Sequence, residues 1–357
     1  MFVTISSLGQ TFLFETNLSF IVSLFMFLFT LIIIKKVPTK IGLAYSILFI
    51  YTFILSIYGK DLYSFCISLG TILFINIFAN TRFKEKSIYI GSIIMSLFSL
   101  GVLFLYNRGI VLSNWNPNSI TMFCTYGMIA VLIPIKCYKN AAAKIIGILI
   151  VCSSIYCISS ADCRNNILIF FVAILSIFVF DKAIKNKILY RVYYSVILFL
   201  PMIIPKAVDI IQKYQDNSFI KQISVDIFSK GSIFSDRDVI WNNCKWLCRD
   251  NSMFGFGKSL YEFLYAHNLF FSVQYSYGIV GYILYIFLIV VILEYVLNKE
   301  DEIGLKKVCL NIFLAIFVGQ IMENALFTSN LCIFVPYIYL SMAIYVSEKY
   351  KKGGNSL

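Results

Sequence analysis

Apolar runs of 15 to 20 residues, broken by short polar stretches, recur from one end of the chain to the other. Runs of that length match the thickness of a bilayer when wound as helices. Because they are continuous rather than alternating, they exclude a transmembrane β-barrel. The pattern predicts spans near 18–34, 41–58, 62–80, 88–106, 119–135, 145–160, 167–180, 188–204, 279–297, 308–324 and 330–346, eleven in all. The expected fold is therefore an all-α polytopic membrane protein. Its organisation is eight transmembrane helices over 1–204, one large loop with short amphipathic helices over 205–267, and a last part, 268–357. That part begins with a segment, 268–278, too short to cross, which is expected to run at a slant beneath the loop before the last three spans and the tail. The first 17 residues lack a basic region and contain Glu15, so the first apolar segment reads as a retained helix rather than a cleaved signal peptide.

Composition and charge add direction. The chain is 60% hydrophobic and 13% charged, with 34 Phe and 24 Tyr and a mean hydropathy of +0.83. That excludes a soluble domain. The breaks "KKVPTK", "TRFKEK", "KCYKNAAAK", "DKAIKNK" with Arg191, "NKEDEIGLKK" and the tail "SEKYKK" hold 19 of the 30 Lys and Arg. Seven acids share that side, leaving +12; the other side carries 11 basic and 11 acidic residues, a net of zero. The positive-inside rule makes the charged face cytoplasmic and the 205–267 loop extracytoplasmic. A pI near 9.1 then reflects topology, and no nucleic-acid partner is implied.

The span interiors are almost free of charge, and no internal repeat is visible. Both features argue against a transporter, which carries coupling charges within its spans and frequently repeats its halves. Six of the ten cysteines (Cys66, Cys124, Cys152, Cys157, Cys309 and Cys332) fall in predicted spans, where a small apolar role is usual. Cys244 and Cys248 stand one helical turn apart, a poor geometry for a disulfide. With no histidine beside them, they do not make a metal site.

Polar chemistry gathers on the outer side at three places. In "SSADCRNNILIF", residues 159 to 170, Asp162 reads as the cap of the seventh span and Arg164 falls in its first turn. Either the two pair at the interface, or Arg164 helps the helix N-terminus hold an anion. In "SIFSDRDVIWNNCKWLCRD", residues 232 to 250, Ser235 and Asp238 form a capping box, so a helix is expected from Asp236. Its apolar stripe reads as Ile240, Cys244, Leu247 and Cys248, and its edge as Arg237, Trp241, Cys244 and Cys248. Arg237 beside Trp241 suits a phosphate bearing a sugar or lipid; the bland reading is a solvated Arg, with Trp241 and Trp246 as interface anchors. The third place holds Gly255 and Gly257, which permit a tight turn, then His267-Asn268, and then Gly278-x-x-Gly281, a spacing that allows close helix packing. His267 is the only histidine in the chain. It is either an incidental interfacial side chain or a base at the outer boundary.

In this order, Arg237-x3-Trp241, Phe254-Gly255-x-Gly257, His267-Asn268 and Gly278-x-x-Gly281 resemble the O-antigen polymerase and O-antigen ligase superfamily, with "CRNN" around Arg164 similar to its small-residue–Arg motif. The motifs cover about a third of the chain. One departure is Tyr277, where many relatives carry a Glu shortly before the first glycine. The resemblance implies a GT-C-like membrane glycosyltransferase of the bacterial inner membrane, working on its outer side. It would be a Wzy-type polymerase of undecaprenyl-pyrophosphate-linked repeat units, making O-antigen or capsular polysaccharide. The alternatives are the ligase, which hands polymer to lipid A–core, and more remotely a precursor flippase. No metal or cofactor is implied; a chain-length regulator is an implied protein partner. On this reading His267, Arg237 and Arg164 are catalytic, and Asn268, Trp241, Arg249 and Lys258 contact substrate. The arginines take the charge of the diphosphate leaving group, and His267 takes the proton of the acceptor hydroxyl.

Overall fold

A computed structural model describes residues 38–61, 85–111, 117–161, 163–180, 186–212, 237–258, 260, 266–298, 304–323 and 334–353. The spans expected at 18–34 and 62–80, the cap residue Asp162 and the capping-box Ser235 lie outside them. The described residues are helical, without a strand: α1 Thr39–Gly59, α2 Glu85–Asn107, α3 Pro117–Cys137, α4 Ala141–Ser160, α5 Arg164–Ile174 with a wider turn over Leu175–Phe180, α6 Lys187–Gln212, α7 Arg237–Cys248, α8 Leu269–Leu297, α9 Leu305–Gly319 and α10 Phe334–Gly353. Six of them (α1, α2, α3, α4, α6 and α8) are long and apolar enough to cross a membrane. The protein is a helical, multi-pass membrane protein.

Burial sorts these helices into a centre and a periphery. In the most apolar window of α1, α2, α4 and α6 only 28% to 33% is buried, so their remaining Ile, Leu and Phe side chains face outward, as lipid-exposed helices must. The corresponding share of α3 is 83%. On α9 nearly every residue from Leu305 to Gly319 is buried, with α5, α6 and α10 packed around it. Enclosed in this way by its neighbours, α9 is the axis of the described bundle.

Contacts between helix termini define two ends. At one, Gly59 meets Gly257, the Asn165 amide donates to the Gly319 carbonyl at 3.2 Å, and Leu269 N–H donates to the Gln320 carbonyl at 3.0 Å. At the other, Arg191 and Glu294 form a bidentate pair at 2.7 Å, Tyr194 donates to the same carboxylate, and Lys306 caps the carbonyl of Val296. The described parts of the Lys- and Arg-rich breaks, 136–144, 186–191 and 304–307, lie at this second end. His267 is at the first.

The ninth span begins at 279, where its apolar run indicates, and a short helical segment from Leu269 precedes it. One helical element runs from Leu269 to Leu297 and is broken at Gly278, whose φ of 68° and ψ of −177° only glycine adopts readily. The segment 252–257 docks into this break. Phe256 and Gly257 N–H groups donate to the Tyr275 and Ser276 carbonyls, each at 2.8 Å, while Ile279 N–H donates to the Ser252 carbonyl at 2.9 Å. The Tyr51 hydroxyl of α1 closes the joint on the Tyr277 carbonyl at 2.8 Å. The two glycine motifs are thus two halves of one joint, which satisfies the unwound peptide groups inside an apolar protein. A Cβ on Gly278 would run into the carbonyl of Met253, and one on Gly257 into that of Leu55.

Candidate functional site

The site is assembled where the central helix stops. After Gly319 the chain tightens into a turn: Gln320, Ile321 and Met322 N–H groups reach back three residues, and Glu323 N–H donates to the Gly319 carbonyl at 3.1 Å. Gly319 is needed for a close approach, because a Cβ there would meet the Ile169 side chain of α5. The turn carries Glu323, whose side chain is only 7% exposed.

Two of the expected residues converge on that carboxylate. Arg237, at the start of α7, donates from Nη2 to Oε1 at 3.2 Å, and His267 Nδ1 lies 3.4 Å from Oε2. The Arg237 and His267 side chains are 19% and 24% exposed, so each has one side on the carboxylate and another reachable from outside. A guanidinium and an imidazole held together in this way have the chemistry to bind an anion and to accept a proton. Sequence reasoning missed Glu323: it falls at the end of the span expected at 308–324, where an acid reads as a span-end residue, and its two partners are 86 and 56 residues away.

The backbone at His267 is in the left-handed region, with φ 47°. Such a conformation persists when its surroundings over-determine it, and here they do. On one side the Ala266 carbonyl accepts from Trp241 Nε1 at 3.1 Å. On the other, Asn268 is fully buried; its Oδ1 caps α8 by accepting from Phe271 N–H at 3.2 Å, and its Nδ2 donates to the Pro201 and Ile321 carbonyls, both at 3.0 Å. The Pro201 carbonyl is available because Pro205, one helical turn on, has no N–H to give it. Asn268 and Trp241, expected to contact substrate, are thus 0% and 1% exposed and tie down the peptide that presents His267. Trp241 joins Cys244 and Cys248 on the buried face of α7, while Trp246 is 70% exposed. The stripe is rotated toward Trp241 from the one expected, with Ile240 and Leu247 only half-buried. Burial pushes both thiols, Cys244 and Cys248, up to about 12.

Arg164 is exposed in the first turn of α5. Its neighbour Asn165 donates to the Gly319 carbonyl, the group that also accepts from Glu323 N–H. The "CRNN" motif therefore abuts the turn that carries Glu323. Arg249 is exposed beside Asp250 at 3.6 Å, and Lys258 follows Gly257 in the segment docked on α1 and α8. Tyr277, at the position where the resemblance would place an acid, is buried with its hydroxyl 3.3 Å from that of Ser56; the carboxylate beside Arg237 and His267 comes from the turn after α9. No family model and no curated protein matches the chain.

Proposed function

We propose that this protein transfers glycans from a lipid diphosphate donor to a sugar hydroxyl, as a polymerase of undecaprenyl-pyrophosphate-linked repeat units making O-antigen or capsular polysaccharide. The observation that carries the reading is the pairing of Arg237 and His267 on one buried carboxylate, at the end of the bundle away from its basic loops. A glycosyl transfer from a lipid diphosphate needs a cation where the leaving group gains charge and a base where the acceptor loses its proton. The acceptor hydroxyl oxygen bonds to the anomeric carbon, and the bond from that carbon to the diphosphate oxygen breaks. The electron pair leaves with the lipid diphosphate against Arg237 and Arg164, and the hydroxyl proton passes to His267. On this reading the chain has eleven spans of GT-C-like organisation in a bacterial inner membrane, with His267 facing the periplasm.

The motif order supports a polymerase or a ligase equally, and the test separates them. In cells lacking the endogenous gene, the wild-type chain is expected to restore a ladder of glycan lengths, and His267→Ala to restore none while reaching the membrane at the same level. A ladder from His267→Ala would sink the reading. Long lipid-linked polymer that accumulates without transfer to lipid A–core in the deletion strain would mark a ligase.

A further inference from the structure

The expected site had no acid in it, yet the structure centres on one. We propose that Glu323 is the positioning residue of the site. It accepts the Nδ1 hydrogen of His267, which leaves the imidazole lone pair at Nε2, and it holds Arg237 through Nη2. The proposal rests on the reading of His267 as the base.

Three observations carry it. The carboxylate is divided, Oε1 to Arg237 at 3.2 Å and Oε2 to His267 at 3.4 Å, so one rigid group fixes the spacing between anion site and base. It is buried on the turn that ends the most enclosed helix of the bundle, with its own N–H bonded to Gly319. A mobile surface acid cannot aim a ring in this way. Finally, the peptide at His267 is held in a left-handed conformation by bonds from Trp241 and Asn268 on either side. A carboxylate buried only to stabilise the fold would be served by Arg237 alone; it would not need a strained backbone to bring an imidazole to its second oxygen. With Nδ1–H committed to Glu323, Nε2 is the atom that takes the acceptor proton, and the carboxylate faces the imidazolium that forms.

The sole histidine makes the test direct. The full chain, purified through a histidine-free tag and labelled with ¹⁵N-histidine, gives one imidazole, whose nitrogen shifts report which atom carries the proton. In the wild type the proton is expected on Nδ1, with Nε2 unprotonated. In Glu323→Leu it should redistribute to Nε2, and in Glu323→Asp, which keeps the charge, it should stay largely on Nδ1. Polymerisation from purified lipid-linked repeat should fall by about 10²- to 10⁴-fold in Glu323→Leu, the range a general base contributes, with partial recovery in Glu323→Asp. A wild-type proton on Nε2, or an unchanged tautomer in Glu323→Leu, overturns the proposal. The two readings fail separately. Wild-type polymerisation by His267→Ala removes His267 from the chemistry, whereas an unmoved tautomer with an inactive His267→Ala removes only Glu323.

Discussion

At the residue scale, the arginines carry the sharpest prediction. Arg237 is half-enclosed, with a planar fork already anchored at one nitrogen by Glu323. A lysine cannot both hold that carboxylate and offer a second parallel donor to a diphosphate. Hydrogen bonds to charged groups contribute roughly 1.5–3 kcal/mol each. Losing either arginine to Ala should therefore slow transfer by about 10- to 200-fold, and Arg237→Lys and Arg164→Lys should restore little of it. Steady-state rates on purified lipid-linked repeat check this, and near-wild-type rates in both lysine variants would reduce the arginines to interface anchors. Arg237 and His267, which meet on Glu323, stood out in the sequence as a first-turn arginine beside a tryptophan and as the only histidine of the chain. Glu323 did not. Nothing local marks an acid four residues past a helix end as the partner of a histidine 56 residues earlier. Asn268 was legible as a residue of note, but not as one whose amide is used up by a carbonyl of α6, freed by Pro205, and one of the turn after α9.

The cysteines of α7 give a prediction with a definite sign. Burial disfavours the thiolate and pushes Cys244 and Cys248 up to about 12. The reactive thiolate is then scarce at neutral pH and becomes abundant only as pH approaches that value. Neither thiol of the folded protein should be alkylated by maleimide at pH 7.5, and both should be after denaturation. Labelling of the folded protein would show α7 to be undocked from the bundle.

At the element scale, the joint between 252–257 and the break in α8 is the feature that periodicity could not foresee. The apolar run predicted a span from 279 and a slanted approach before it. The structure breaks the helix at Gly278, just where that span begins; what no pattern showed is that 252–257 docks into the break. Gly278 carries a backbone conformation costing other residues roughly 1–3 kcal/mol, and a methyl there also collides with the Met253 carbonyl. Gly278→Ala should lower thermal stability in detergent and abolish polymerisation, by displacing the segment that leads from α7 to α8. Thermal melting and an activity assay, done together, check this. A variant melting and polymerising like the wild type would mean that the joint is dispensable.

At the scale of the whole molecule, the charge asymmetry and the fold agree on which helix ends share a side. That the chain is built of apolar helices long enough to cross a membrane was readable from the apolar runs, and six such helices stand among the described residues. The identity of α9 as the enclosed axis was not, since a buried helix and a lipid-facing one are equally apolar. The charge balance of +12 against zero predicts that single cysteines introduced within 206–266 react with an impermeant maleimide from outside. Cysteines within 81–87 and 299–307 should react only after permeabilisation; the reverse pattern would move the site to the cytoplasm.

The central claim is that this chain alone catalyses glycosyl transfer from a lipid diphosphate through Arg237 and His267. The most direct measurement is polymer formation by the purified protein in nanodiscs, from lipid-linked repeat as the only substrate, in the presence of EDTA. The expected result is a ladder of products from the wild type, none from His267→Ala, and one formed about 10- to 200-fold more slowly by Arg237→Ala. Absence of turnover by the wild-type protein, a strict need for divalent metal, or an undiminished ladder from either variant would contradict it.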